Sequence, residues 1–227
     1  MDERPGKSIL FLGNSRTFVN DLPKMVRDIA DSAHSPIRYD VRMRAWGGAT
    51  LEEHAHDDGD RDALRQRWDM VVIQTQSASF YSEQSARDFE NYGEQLVRAA
   101  RAADSPVALI ANWTLGPNFY RGTPAEAAAW SRDYGETSER RTRALAERVG
   151  AGVIDLEQAF DHAQAVLPDL ALTSDGNHPT HAGSFLAALV VYGYLSQADL
   201  ANVSYRPYDM SRETAAALKQ IAARYRH

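Results

Sequence analysis

Short apolar runs rich in β-forming residues alternate along the chain with longer amphipathic stretches, and this alternation restricts the fold more than any other feature. Strands that alternate with helices are the signature of a parallel sheet built from βαβ units, since parallel neighbours need a crossover long enough to hold a helix. Four runs, Ile9-Leu10-Phe11-Leu12, Met70-Val71-Val72-Ile73, Val107-Ala108-Leu109-Ile110 and Gly152-Val153-Ile154, are apolar throughout. That pattern suits strands covered by helices on both faces. Residues 37–44 instead alternate apolar and polar with period two, which predicts one wet face and places this strand at the sheet edge.

The intervening segments carry helical signals. Leu22, Met25, Val26, Ile29 and Ala30 form one stripe, and Phe89, Tyr92 and Leu96 form another. A third helix is predicted over 124–149, with Thr123-Pro124 as cap and first residue and Gly150 as the stop. Residues 185–195 are apolar nearly all round and predict a buried helix. Leu218, Ile221, Ala222 and Tyr225 mark a final amphipathic helix after residues 204–207.

With 227 residues and no repeats or low-complexity linker, the chain is expected to form one domain, 1–227, with a core over about 7–197 and a helical extension over about 198–227. Its 25 Lys+Arg against 31 Asp+Glu leave a net charge of −6, which offers no general attraction to phosphate backbones or anionic lipid. Neither a nucleic-acid nor a membrane partner is expected. The absence of cysteine excludes disulfide scaffolds, thiolate metal sites and cysteine nucleophiles. The charged first seven residues lead into an apolar run too short for a signal segment, so a cytoplasmic protein is expected. Oligomeric state is not encoded in any pattern of this kind.

Ligands of open parallel sheets bind beyond the carboxyl ends of the strands, which directs attention to the residues after each strand. There the sequence reads Gly13-Asn14-Ser15-Arg16, then Ala45-Trp46-Gly47-Gly48, then Gln74-Thr75-Gln76-Ser77, and late in the chain Asp175-Gly176-Asn177-His178-Pro179. Together these supply a hydroxyl, glycine amides, a carboxamide and a carboxylate–imidazole pair, the parts needed for acyl transfer by a serine nucleophile.

Each part also has a plainer reading. Ser15 sits where serine caps helices, although Gly13 allows a tight turn that would present its hydroxyl. Asp175 and His178 could form only a turn before a helix, yet the same spacing lets the carboxylate orient the imidazole. His178 and His181 could share a metal with Asp175, but no clear further ligands accompany them. Gly47-Gly48 could be a turn into a helix beginning at Thr50. Gln74 ends an apolar strand and needs a partner or a purpose, with Gln76 the alternative if the strand ends two residues later. The segment 112–121, containing Trp113, Phe119, Tyr120 and Arg121, could grip a substrate or cover core. The cluster His54-Ala55-His56-Asp57-Asp58 reads as a solvated face or loop.

The four blocks, in this order across residues 8–195, resemble the SGNH hydrolases, also called GDSL-like lipases and esterases. The most specific piece is Asp175-x-x-His178-Pro179 before an apolar helix. The chain departs from the family pattern with Asn14 where Asp is common. It also lacks Gly-x-Asn-Asp in the third block, where Gln74-x-x-Ser77 looks similar to the Gln-Gly-Glu-Ser of carbohydrate acetyl-esterases.

The resemblance implies a flavodoxin-like three-layer α/β/α sandwich with about five parallel strands and the helical C-terminal extension. It implies Ser15 as nucleophile, His178 as base and Asp175 as orienting acid. An oxyanion hole would be drawn from the Ser15 amide, Gly47 or Gly48 and Gln74. Asn14, Arg16, Gln76, Trp113, Phe119 and Tyr120 are expected on the substrate side. The expected reaction is hydrolysis of a small acyl ester, preferably an acetyl ester of a carbohydrate or small metabolite, with no metal or cofactor. An acyltransferase using the same residues and a non-catalytic carbohydrate-binding relative are the alternatives.

Overall fold

The computed structural model describes residues 3–226. Five strands, β1 (Gly6–Gly13), β2 (Arg38–Ala45), β3 (Met70–Gln74), β4 (Val107–Ala111) and β5 (Gly152–Asp155), form one parallel sheet in the order β2-β1-β3-β4-β5. The alternating segment is the edge strand β2, as its pattern predicts. Only Tyr39 of that strand is buried, while Met43 lies open at 37% exposure.

Because side chains alternate across a strand, β1 feeds two cores. Ile9 and Phe11 point to one face, where they pack with α2 (Leu22–Ser32), α7 (Leu156–Val166), α8 (His181–Ser196) and α9 (Arg212–Ala222). Leu10 and Leu12 point to the other, against α3 (Leu51–His56), α4 (Asp58–Leu64), α5 (Glu83–Ala102) and α6 (Pro124–Val149). The result is three layers. The helix α6 has the bounds its caps dictate, with Thr123 and Glu126 forming a capping box and Gly150 left-handed at φ 64°. The helix α8 buries residues from Ala182 to Gly193 without a polar stripe. The helix α4, at seven residues, is too short to carry a stripe that marks it in the sequence, whereas α7 carries one, Leu156, Ala159, Phe160 and Ala163, that the sequence reading did not pick out.

One buried carboxyl stands apart from the ion pairs. Glu157, in the first turn of α7, is 4% exposed, and its Oε2 has no hydrogen-bond partner among the described residues. Burial, and next the nearby carboxylates Glu139, Asp161 and Asp155, push it up to about 9. The folded protein therefore holds Glu157 protonated at neutral pH, whereas the unfolded chain ionises it near pH 4.5. Between those values the native state binds the extra proton, so this group makes stability fall as pH rises. Glu157→Gln, neutral and of the same shape, is expected to raise Tm at pH 8 and leave it nearly unchanged at pH 4, as read by thermal denaturation at the two pH values.

Candidate active site

The strand order reverses direction between β1 and β3, the switch point beyond whose carboxyl ends open parallel sheets bind their ligands. Gly13 closes β1 there. A Cβ at this position would sit 2.0 Å from Thr17 Oγ1, so only glycine lets the chain turn so tightly into the short helix α1 (Ser15–Phe18). Asn14 caps α1, accepting from the Arg16 amide at 3.1 Å. Ser15 begins the helix, and its hydroxyl projects over the sheet edge.

The loop before α8 reaches the same point from the other end of the chain. His178 Nε2 lies 3.0 Å from Ser15 Oγ, and His178 Nδ1 lies 2.7 Å from Asp175 Oδ2. The second carboxylate oxygen, Oδ1, accepts the backbone amides of Asn177 at 2.9 Å and His178 at 2.7 Å. Desolvation acts to raise the Asp175 pKa, but the His178 ring and these two amides outweigh it and bring Asp175 down to about 2. A carboxylate so held can keep Nδ1 protonated and leave Nε2 to accept the serine proton.

Gly47 and Gly48 form the turn after β2, with Gly48 at φ 73°, and their amides meet no acceptor among the described residues. Gln76, past the end of β3, has its Oε1 held by the Ala78 amide at 2.7 Å, and its Nε2 has no partner among the described residues. Gln74 is placed differently. It is 1% exposed, accepts from the Thr17 hydroxyl, and donates from Nε2 to Asn112 Oδ1 at 2.8 Å. The last residue of a strand covered on both faces points its side chain inward, and this carboxamide joins the scaffold beneath the turn.

Three residues expected to meet substrate are likewise buried. Asn14 is 2% exposed and donates to the Thr75 carbonyl at 3.0 Å. Arg16 is 2% exposed, and Trp113 is 3% exposed and stacks on Phe160 at 4.5 Å. Phe119 and Tyr120 do remain open, at 40% and 39%. His181 bonds Asp209 at 2.7 Å rather than joining Asp175. The expectation of a solvated His54 also requires correction, because His54 and Asp60 are fully buried. Their side chains meet at 2.5 Å, and His54 Nε2 reaches the Gly13 carbonyl at 2.9 Å, bracing the turn from below. The i, i+6 spacing across two short helices gives no periodic signal that could have exposed this pair.

The GDSL-like lipase/acylhydrolase family model matches residues 11–184. The chain belongs to this family. An SGNH hydrolase from Slackia heliotrinireducens shares 30% identity over 85% of this chain and 100% of its own, with a TM-score of 0.66. A DUF4886 family protein from Bacteroides uniformis matches at TM-score 0.80 and 17% identity, over 96% of this chain and 94% of its own. An acetyl xylan esterase variant from Geobacillus stearothermophilus matches at TM-score 0.62 and 16% identity, over 91% and 98%. Comparison with curated proteins finds no match. The chain is an SGNH-type enzyme acting on ester bonds. Among the described residues, no helix is long and apolar enough to cross a membrane.

The depressed Asp175 pKa has a measurable consequence. A carboxylate held below its unfolded value stabilises the fold fully above about pH 4, and that contribution is lost as pH falls toward 2. Urea midpoints measured at pH 5 and pH 2.5 are expected to fall more steeply for the native protein than for Asp175→Asn; equal falls would contradict the assignment.

Proposed function

We propose that this SGNH-family enzyme hydrolyses small acyl esters, with acetyl the preferred acyl group, through Ser15 as nucleophile, His178 as general base and Asp175 as the acid that orients it. The observation that carries this reading is the unbroken chain from Ser15 Oγ through His178 at 3.0 Å to Asp175 at 2.7 Å. As Ser15 Oγ adds to the ester carbonyl carbon, His178 Nε2 takes the hydroxyl proton. When the C–O bond to the alcohol breaks, His178 returns that proton to the leaving oxygen. Water then enters with His178 again as base, and Ser15 is released with the carboxylic acid.

The tetrahedral oxyanion needs preorganised donors. The Ser15 amide, a Gly47 or Gly48 amide and the Gln76 carboxamide are the candidates. Gln76 takes the role first considered for Gln74 because its amide nitrogen is free, while that of Gln74 is directed to Asn112. A carbohydrate or small polar alcohol as leaving group is supported by an open aromatic surface on the segments that follow β3 and β4. Tyr120 stacks on Trp130 at 5.7 Å, and Tyr81, 51% exposed, meets the same indole at 5.9 Å. Flat exposed rings at the rim suit the apolar face of a sugar ring.

Ser15→Ala is expected to abolish turnover of p-nitrophenyl acetate with Tm retained; undiminished turnover would refute the nucleophile. Gln76→Ala is expected to lower kcat by roughly 10²- to 10³-fold. Gln74→Ala should act mainly through stability, costing roughly 1–3 kcal/mol for the partners it strands. A kcat loss confined to Gln74→Ala would reverse the assignment.

A further inference from the structure

We propose that Arg16 and Asn118 are positioning residues, which set the approach of the Asp175–His178 loop to Ser15. The proposal rests on the reading of Ser15, His178 and Asp175 as the reacting groups.

The loop has little packing to hold it. The Asp175 and His178 side chains are 49% and 37% exposed, and a cleft of about 370 Å³ opens beside Gly176. What holds it is a series of hydrogen bonds from the segment after β4. Three successive loop carbonyls are each gripped by a different donor. Asp175 O accepts from Asn118 Nδ2 at 2.7 Å, Gly176 O from the Gly116 amide at 2.7 Å, and Asn177 O from Trp113 Nε1 at 3.0 Å. The two segments touch so closely that a Cβ on Gly116 would lie 2.8 Å from Gly176 Cα.

Arg16 ties this assembly to the nucleophile. Its Nε donates to Asn177 Oδ1 at 2.8 Å and its Nη1 to the Trp113 carbonyl at 2.8 Å, with the guanidinium 4.6 Å from the Trp113 ring centroid. Arg16 is the covalent neighbour of Ser15, and Asn177 that of His178. The Arg16–Asn177 bond therefore closes a ring alongside the Ser15–His178 contact, and a rigid planar group fixes the spacing across it.

Stability alone does not account for this arginine. No carboxylate hydrogen-bonds it, Nη2 has no partner among the described residues, and burial lowers its pKa to about 10. A buried cation without an ion-pair partner is disfavoured relative to an apolar chain of similar length. A misplacement of about 1 Å between reacting groups is enough to slow the chemistry roughly 100-fold.

The test compares Arg16→Met, Arg16→Lys, Asn118→Ala and Ser15→Ala with the native enzyme on p-nitrophenyl acetate, with Tm measured for each. Arg16→Met, which leaves Asn177 Oδ1 and the Trp113 carbonyl without their donor, is expected to lower Tm but still fold, while kcat of the folded enzyme falls roughly 10- to 100-fold and KM stays within about twofold. Arg16→Lys should not restore the rate, since an ammonium cannot reproduce both arms of the fork. Asn118→Ala, at an exposed position, should keep Tm and lose several-fold in kcat, which keeps the test decisive if Arg16→Met fails to fold. Native kcat in Asn118→Ala and in every folded Arg16 variant, with Ser15→Ala inactive, would overturn this inference alone. Turnover by Ser15→Ala would instead overturn the reading on which it rests.

Discussion

The site depends on one carbonyl. Thr75 O, immediately past β3, accepts amide hydrogens from both Asn14 after β1 and Asn112 after β4, each at 3.0 Å. Parallel strands end in backbone groups that no further ladder partner satisfies, and in a covered sheet water does not reach them. Here two side-chain carboxamides do so, and in doing so they lock three strand ends together. The hydroxyl of Thr17 and the carboxamide of Gln74 extend the same network under the turn that carries Ser15. Leaving any one of these buried donors unpaired would cost roughly 1–3 kcal/mol. The turn is therefore rigid for thermodynamic reasons before any substrate is present.

That rigidity serves a meeting of distant parts. Ser15 follows the first strand and His178 precedes the last long buried helix, 163 positions further along the chain. Neither end has the other as a local neighbour. The sheet order puts β1 beside β3, the largely apolar α8 packs on the face of the sheet that holds Ile9 and Phe11, and the loop leading into α8 is thereby delivered over the turn after β1. The His54–Asp60 pair supports the Gly13 carbonyl from the opposite layer. Both faces of the sheet thus bear on one serine.

Much of this was legible in the sequence. The apolar runs, the alternating edge strand, the bounds of α6 and the order of the four polar blocks follow from periodicity and cap chemistry, which are local. The roles of Asn14, Arg16, Trp113 and Gln74 were not legible, because a polar or aromatic residue at a strand end reads the same whether it faces the crevice or the layer below it. Gln74 and Gln76 illustrate the point. They are two apart and would share a face if the strand continued, but β3 stops at Gln74, and the chain then turns so that one carboxamide enters the scaffold while the other stays at the surface. His54 was missed for a related reason. Its partners, Asp60 and the Gly13 carbonyl, lie across two short helices and a strand, and only the fold brings them to it.

The distribution of burial separates two kinds of work around the serine. The side chains that meet at Ser15 Oγ, His178 and its partner Asp175, are part-exposed. Most of the groups that hold those two in place are almost wholly enclosed: Asn14, Arg16, Asn112, Trp113 and Asn177 are all below 10% exposure, and Asn118 is the exposed exception. An exposed side chain held only by its own packing samples several rotamers, so accessibility and fixed geometry oppose each other. The conflict is resolved by fixing the backbone of the 174–179 loop from beneath, through its carbonyls, and leaving its upper surface bare. A buried arginine without a carboxylate makes a poor contribution to folding, and its place next to Ser15 fits stability being given up for placement at the site.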